Sequence, residues 1–254
     1  MRRTGAGDPK KTLELLWRDW YEKPSRPGPK PKFTVDDILD TAVRQADEHG
    51  IEALSMRAIA AELGVGPMSL YRHVPSKAEL IDLMVEHVAT PLDEYPDTNT
   101  LGWRETLETL GRGMLEQAQR HPWLLDLVQR RPVFGPRSLA GFDFALSAFA
   151  DCDLPEAEIN MIIVAVIDLA TGTAGSYRWA DPVGDREAQT TEEEWWEVNE
   201  PYLTMAWESG RFEHVGRLED DSAWSTTAEP ALEYALKALL DGLAPRIEGA
   251  RRPG

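Results

Sequence analysis

A chain of 254 residues, 42% of them hydrophobic, is long enough for one large or two moderate domains and apolar enough to hold a core, which excludes disorder as its organising state. One cysteine, Cys152, excludes an internal disulfide and a cysteine-based metal cluster; no apolar run approaches the roughly 20 residues that cross a membrane, and Met1-Arg2-Arg3 leads into no signal core, so a cytoplasmic chain with no membrane partner is expected. The net charge of -17 excludes a uniformly basic binder of polyanions, yet residues 1–90 hold 13 basic against 14 acidic groups while residues 91–254 hold 14 against 30, an asymmetry that predicts two jobs.

Residues 1–32 begin with Leu13 to Tyr21, a short helix whose Leu15, Leu16, Trp17 and Trp20 should dock on the body of the protein. Lys23 to Lys32 follow, where four prolines and a glycine forbid a helix and leave a basic extended stretch, either a solvated linker or an arm that reaches a nucleic acid. Thr34 and Asp37 form a capping pair for a helix to Gly50 that buries Ile38, Leu39, Ala42, Val43 and Ala46. Ser55 caps the next helix, with Ile59, Ala60 and Leu63 on one face, and Gly64 suits its left-handed end. After Gly64-Val65-Gly66, Pro67 opens a second short helix, Met68 to His73. The unit is a helix-turn-helix, with Val65, Leu70 and Val74 inward and Met68, Ser69, Tyr71, Arg72 and His73 outward. Ser76 caps a further helix to about Val88, and Pro91 and Pro96 mark a boundary.

Beyond it the periodicity stays helical, predicting helices at about 102–120, 122–130, 136–150, 155–179, 192–208 and 227–244, with loops at 180–191 and 210–225. The fold class expected is all-α: a helix-turn-helix three-helix domain at 33–90 behind an extension at 1–32, and a larger helical bundle at 91–254. Residues 159–174 are apolar nearly all round, and 230–243 carry a broad apolar face, so both must be buried, either in a subunit interface or in the core of the chain itself.

Together, Leu54-Ser55-x-Arg57-x-Ile59-Ala60, Leu63-Gly64-Val65, Leu70-Tyr71-x-His73-Val74 and Ser76-Lys77 resemble the DNA-binding domain of the tetracycline-repressor (TetR) family of one-component transcriptional regulators. The resemblance covers Phe33 to about Val88. A weaker likeness to that family's C-terminal domain runs through His121-Pro122-Trp123, Arg131-Pro132 and Leu169 to Gly172. It implies phosphate contacts from Ser55, Tyr71, His73 and Lys77, and base readout by Arg57, Pro67, Met68, Ser69 and Arg72. It also implies a homodimer on a palindromic operator, sealed by Ile162, Val166 and Leu169 with Leu236, Leu239, Leu240 and Leu243, and released by a small-molecule effector.

Effector recognition in a helical bundle needs apolar and aromatic walls with few polar groups, and Trp103, Phe134, Phe142, Met161, Tyr177 and Trp179 are the candidates. Asp168 joins them because a charge in the most apolar helix needs either a ligand or an arginine partner. Tetracycline repressors hold magnesium through a histidine just before an Arg-Pro pair; Leu127 stands near that position here and residues 124–131 contain no histidine, so neither metal nor cofactor is expected. With no Gly-x-Ser-x-Gly elbow, phosphate-cradling glycine loop or paired metal motif, no enzyme is expected either. The other reading is a helical protein-interaction scaffold whose helix-turn-helix serves only for packing.

Overall fold

The computed structural model describes residues 2–20, 32–128, 131–178, 191–217 and 226–252. The basic stretch from Lys23, Trp179 and the loop expected at 180–191 therefore lie outside the described residues, apart from Lys32 and Thr191.

The helices in chain order are α1 (Pro9–Leu16), α2 (Val35–Ala53), α3 (Met56–Glu62), α4 (Pro67–Tyr71), α5 (Lys77–Val88), α6 (Trp103–Arg120), α7 (Pro136–Ser147), α8 (Glu156–Ser176), α9 (Glu192–Glu208) and α10 (Ala228–Glu248). Two strands of two residues, β1 (Arg2–Arg3) and β2 (Leu127–Val128), pair in parallel. The N-terminal helix lies earlier than the sequence suggested: Asp8 accepts from the Lys10 and Lys11 N–H groups and Pro9 sits in the first turn, so it starts at Pro9, and residues 17–20 are turn. The helix expected at 122–130 is a single 3-10 segment, Pro122–Asp126, running into β2.

Two hydrophobic cores result. One is built on α2 to α5, with Ile38, Ile59, Leu70, Val74, Leu80 and Met84 at its centre, and it also takes in Leu16, Trp123 and Leu127. The other joins α6, α7, α8 and α10 through Leu107, Phe149, Ile163, Val166, Leu232 and Leu240. The boundary expected at residue 90 thus falls between helices but not between cores, because Trp123 and Leu127 come back to fill the first core from the far side of α6. Of the N-terminal apolar cluster, Leu16 is buried and Leu15 and Trp17 are packed against it, whereas Trp20 stays exposed.

The junction is polar as well as apolar. Asp47 on α2 accepts the Trp123 indole N–H at 2.7 Å and lies 2.9 Å from His121 Nδ1; Asp40, two turns earlier, lies 2.7 Å from His87 Nε2. Gln117 donates to the Val88 carbonyl at 2.9 Å, and Arg137 to the carbonyls of His87 and Ala89. Glu86 accepts the N–H groups of Arg137 and Ser138 at the start of α7, at 2.5 and 3.1 Å, where free helix donors favour an anion.

At 21 residues, α8 is the one helix among those described that is long and apolar enough to cross a membrane, against the expectation that no run comes close. Its packing explains the composition. Ile162, Ile163, Val166, Ala170 and Ala174 are buried within the bundle of α6, α7 and α10, while Met161 and Val164 are exposed.

Candidate nucleic-acid interface and effector clefts

The helix-turn-helix is assembled by local rules. Ser55 Oγ accepts the Ala58 N–H at 3.1 Å, starting α3. At its end Val65 N–H bonds Ala60 O at 2.9 Å and Gly64 N–H bonds Ala61 O at 3.2 Å, with Gly64 at φ +66, a Schellman turn that needs a residue tolerant of positive φ. Pro67 then occupies the first turn of α4. Leu70 and Val74 are fully buried and fix the rotation of α4, which leaves Pro67, Met68, Tyr71 and Arg72 exposed to solvent; Arg57 on α3 is exposed as well. Met68 is 75% exposed, high for an apolar thioether. Arg72 Nη2 donates to Ser69 Oγ at 3.1 Å, which orients the guanidinium along the face. The half-buried His73 ring lies 4.9 Å from that of Phe33, so the chain leaving the N-terminal extension reaches the edge of this same surface.

Lys77 departs from expectation. Its ammonium donates to Leu54 O and lies 3.5 Å from Ile51 O, holding carbonyls at the C-terminal end of α2, where the helix runs out of donors. It positions α3 instead of reaching outward. Ser55, half-buried, has its oxygen committed to the cap.

The sequence did not announce the buried acids of α5. Glu79, Asp82 and Glu86 recur on one helical face and would pass for a solvated stripe, yet all three are buried. Asp82 Oδ1 accepts the Gly5 N–H at 2.8 Å and Glu79 Oε1 the Asp8 N–H at 2.8 Å, so the chain before α1 is tied to α5 by its backbone. Thr4 Oγ1 donates to Arg131 O at 3.0 Å and Trp17 Nε1 to Phe134 O at 2.9 Å, tying it also to the segment after β2. Burial pushes the Asp82 carboxyl above the ordinary aspartate range. Burial acts the same way on Glu79, but hydrogen bonds from Ser76 and from the Asp8 N–H outweigh it and hold that group below the ordinary value.

The expected effector residues do not converge. Trp103 is buried in the second core, with the Arg104 guanidinium 5.1 Å from its ring centre. Tyr177 borders a recess of only about 30 Å³ with Pro122, Leu125 and Ala228. Phe142 and Met161 are exposed on different helices. Asp168, expected to be buried, is exposed on the outward face of α8, since Val166 and Ala170 point inward. Phe134 lines a cleft of about 350 Å³ between α1, α5 and residues 131–134. A second cleft, of about 600 Å³, opens at the junction between α2 and α6 and is lined by charged and polar groups, among them Arg44, His87, Glu94, Glu116, His121 and Arg137. No cluster of three potential metal ligands occurs among the described residues.

The residues expected to seal a dimer are turned, wholly or in part, into the chain's own fold. Ile162, Val166, Leu236 and Leu240 lie in the chain's own core, with Leu169, Leu239 and Leu243 packed against it. The outward faces are Met161, Val164, Asp168 and Gly172 on α8, and Tyr234, Ala238 and Gly242 on α10.

Residues 38–84 match the family described as bacterial regulatory proteins, tetR family, and residues 95–247 match the tetracyclin repressor-like, C-terminal domain. The HTH-type transcriptional repressor DrrR1 of Streptomyces coeruleorubidus is 39% identical over 243 residues, covering 94% of this chain and 87% of that protein. An HTH-type transcriptional regulator of Saccharopolyspora erythraea is 29% identical over 176 residues, 66% of this chain and 72% of that one. Among solved structures, the TetR family protein ActR of Streptomyces coelicolor in complex with actinorhodin superposes with a TM-score of 0.65 at 23% identity, covering 87% of this chain and 99% of that one.

Proposed function

The chain belongs to the tetR family of bacterial transcriptional regulators, and from that premise we propose that it is a repressor that grips a palindromic operator through α4 and leaves it when a small molecule binds. The observation that carries this reading is the face made by Arg57, Pro67, Met68, Tyr71 and Arg72, exposed together over a fully buried Leu70 and Val74. Arg57 can grip a guanine edge with its forked guanidinium, Met68 and Pro67 suit thymine methyls, and Tyr71 with Arg72 suits phosphates and base edges. His73 adds a phosphate donor at the edge, and Ser69 steers Arg72. Lys77 acts here through the fold, as the clamp on α3.

Two half-sites need two such helices, so the working unit is a homodimer. Its seam in this reading is the outward stripe of α8 and α10, where small residues let backbones approach and Tyr234, 80% exposed, supplies apolar area. The division of labour follows: residues 33–90 read DNA, residues 91–254 pair and sense, and the N-terminal extension joins them. Release is a population shift: the effector must bind better to the state that cannot span both half-sites, and the operator weakens effector binding by the same factor.

The test is binding of the purified protein to DNA flanking its own gene, by fluorescence anisotropy at two salt concentrations, against an unrelated duplex. Sequence-specific, salt-sensitive binding that falls by about tenfold or more in Arg57→Ala is the expected outcome. Equal, weak binding to both duplexes at low salt, unchanged by Arg57→Ala, would overturn the reading and favour the packing scaffold.

A further inference from the structure

The cleft beneath the N-terminal segment has the build of a ligand site. Its walls are Pro9, Leu13, Leu16, Pro132, Val133 and Phe134, all apolar, and its volume of about 350 Å³ lies within the range of small-molecule pockets. Two buried polar residues, Thr12 and Asp82, line this apolar space. Thr12 is buried, and its Oγ1 has no hydrogen-bond partner among the described residues, an unusual state for a buried hydroxyl. Asp82, 1% exposed, spends Oδ1 on the Gly5 N–H and meets no cation at ion-pair distance among the described residues. A buried carboxylate without a cation and a buried hydroxyl without a partner are both costly unless something completes them. Arg131 stands at the rim with its stem over Gly5 and is exposed, so its charge is solvated while Asp82 is not.

We propose that this cleft binds a compact apolar molecule carrying a protonated amine, its ring between Leu13, Pro132 and Phe134 and its ammonium directed at Asp82 and Thr12 Oγ1. The occupant would touch three parts at once: α1, the loop after β2, and α5, the helix that follows the helix-turn-helix. Asp82 would then exchange its hold on the Gly5 N–H for a stronger, charge-assisted bond. Occupancy would thereby loosen or reseat the N-terminal segment on α5, which gives the cleft a direct lever on the DNA-reading unit. The cleft is a ligand site additional to any built wholly within residues 91–254, and its influence on DNA binding rests on the ligand-responsive reading above; binding itself is measured without DNA and stands or falls separately.

The experiment uses the full-length protein and three naphthalene probes of one shape: 2-naphthylmethylamine, 2-naphthylmethanol and 2-naphthoate. Binding is followed by isothermal titration calorimetry and tryptophan fluorescence, Trp17 and Trp20 lying just after the helix that forms one wall. The amine should bind saturably, the alcohol more weakly and the carboxylate least. Leu13→Trp, at a position 44% exposed where folding tolerates a larger ring, should fill the cleft and weaken the amine by about tenfold or more. Asp82→Asn should cost the amine a similar factor and leave the alcohol within about twofold, a discrimination that a general loss of structure would not produce. The proposal is overturned if no probe saturates up to about 1 mM, if the carboxylate binds as well as the amine, or if Leu13→Trp binds the amine like the parent protein.

Discussion

Asp47 shows how much of this protein hangs on single side chains. It is the shared acceptor for Trp123 and His121, and these bonds join the helix that braces the DNA-reading unit to the segment that follows α6. Trp123→Phe would keep most of the ring in its buried slot and remove only the indole donor, leaving Asp47 one bond short. We expect a loss of about 1–2 kcal/mol in thermal or urea unfolding, with operator affinity of the folded protein changed far less. Glu79 makes a second prediction, through pH. Its folded-state pKa is depressed, so its contribution is present above the ordinary glutamate value and is lost as pH falls through the lower folded value. Asp82 runs the other way: with its pKa raised by burial, the folded chain takes up that proton more readily, and acid favours the fold at that site. Hydrogen exchange of residues 5–8, followed from neutral pH down past the ordinary glutamate range, should therefore show protection falling in the parent protein. In Glu79→Gln it should start lower and change less; an equal acid loss in both proteins would count against Glu79 as the anchor.

At the scale of elements, the turn between α3 and α4 and the segment before α1 make opposite uses of glycine. Gly64 sits at φ +66 with open space around its missing Cβ, so an added methyl meets no neighbour and the cost is conformational alone. Gly64→Ala should destabilise by about 1 kcal/mol, a shift visible in chemical denaturation. Gly7 is ordinary in backbone but tight in space: a Cβ there would lie 2.6 Å from Glu79 Oε1, within the contact that holds the N-terminal segment on α5. Gly7→Val should unseat that segment with little change in the cores, and limited proteolysis should then cut within residues 1–20 first. The periodicity of α8 explains why its role could be read only halfway. A helix apolar on every side must be buried, but nothing in a repeat of Ile, Val and Ala says which side meets its own chain. Packing of α6, α8 and α10 took Ile162, Val166, Leu236 and Leu240 inward, and in the proposed reading the seam for a partner is the opposite stripe.

At the scale of the whole molecule, the acid is unevenly shared along the chain, with 30 acidic groups against 14 basic after residue 90 and 14 against 13 before it. An acidic body repels the duplex and leaves a single orientation in which α4 approaches it. Dimer formation in this reading depends on an exposed stripe that can be tested without touching the core. Val164 is 41% exposed, so Val164→Glu should fold as a monomer while weakening self-association by about tenfold or more in sedimentation equilibrium, with operator binding weakened in parallel. Dimerisation unaffected by this change and by Tyr234→Glu would place the seam elsewhere.

The sequence by itself determined what local rules determine. Thr34 and Asp37 form their capping box, Gly64 closes α3, Pro67 starts α4, and Leu70 and Val74 go inside, because caps, turns and short-range periodicity depend on neighbours a few residues away. Those signals were enough for the helix-turn-helix, for its outward face and for the family. What only the tertiary structure decided depended on residues far apart in the chain. Lys77 turned inward because the end of α2 leaves carbonyls free beside it, and Glu79 and Asp82 were buried because backbone N–H groups more than 70 residues away needed acceptors. The aromatic residues gathered as one effector pocket went to separate places, since aromatic character predicts burial but not company. The cleft under the N-terminal segment could not be read from any stretch of sequence, for its walls come from three segments brought together only by the fold.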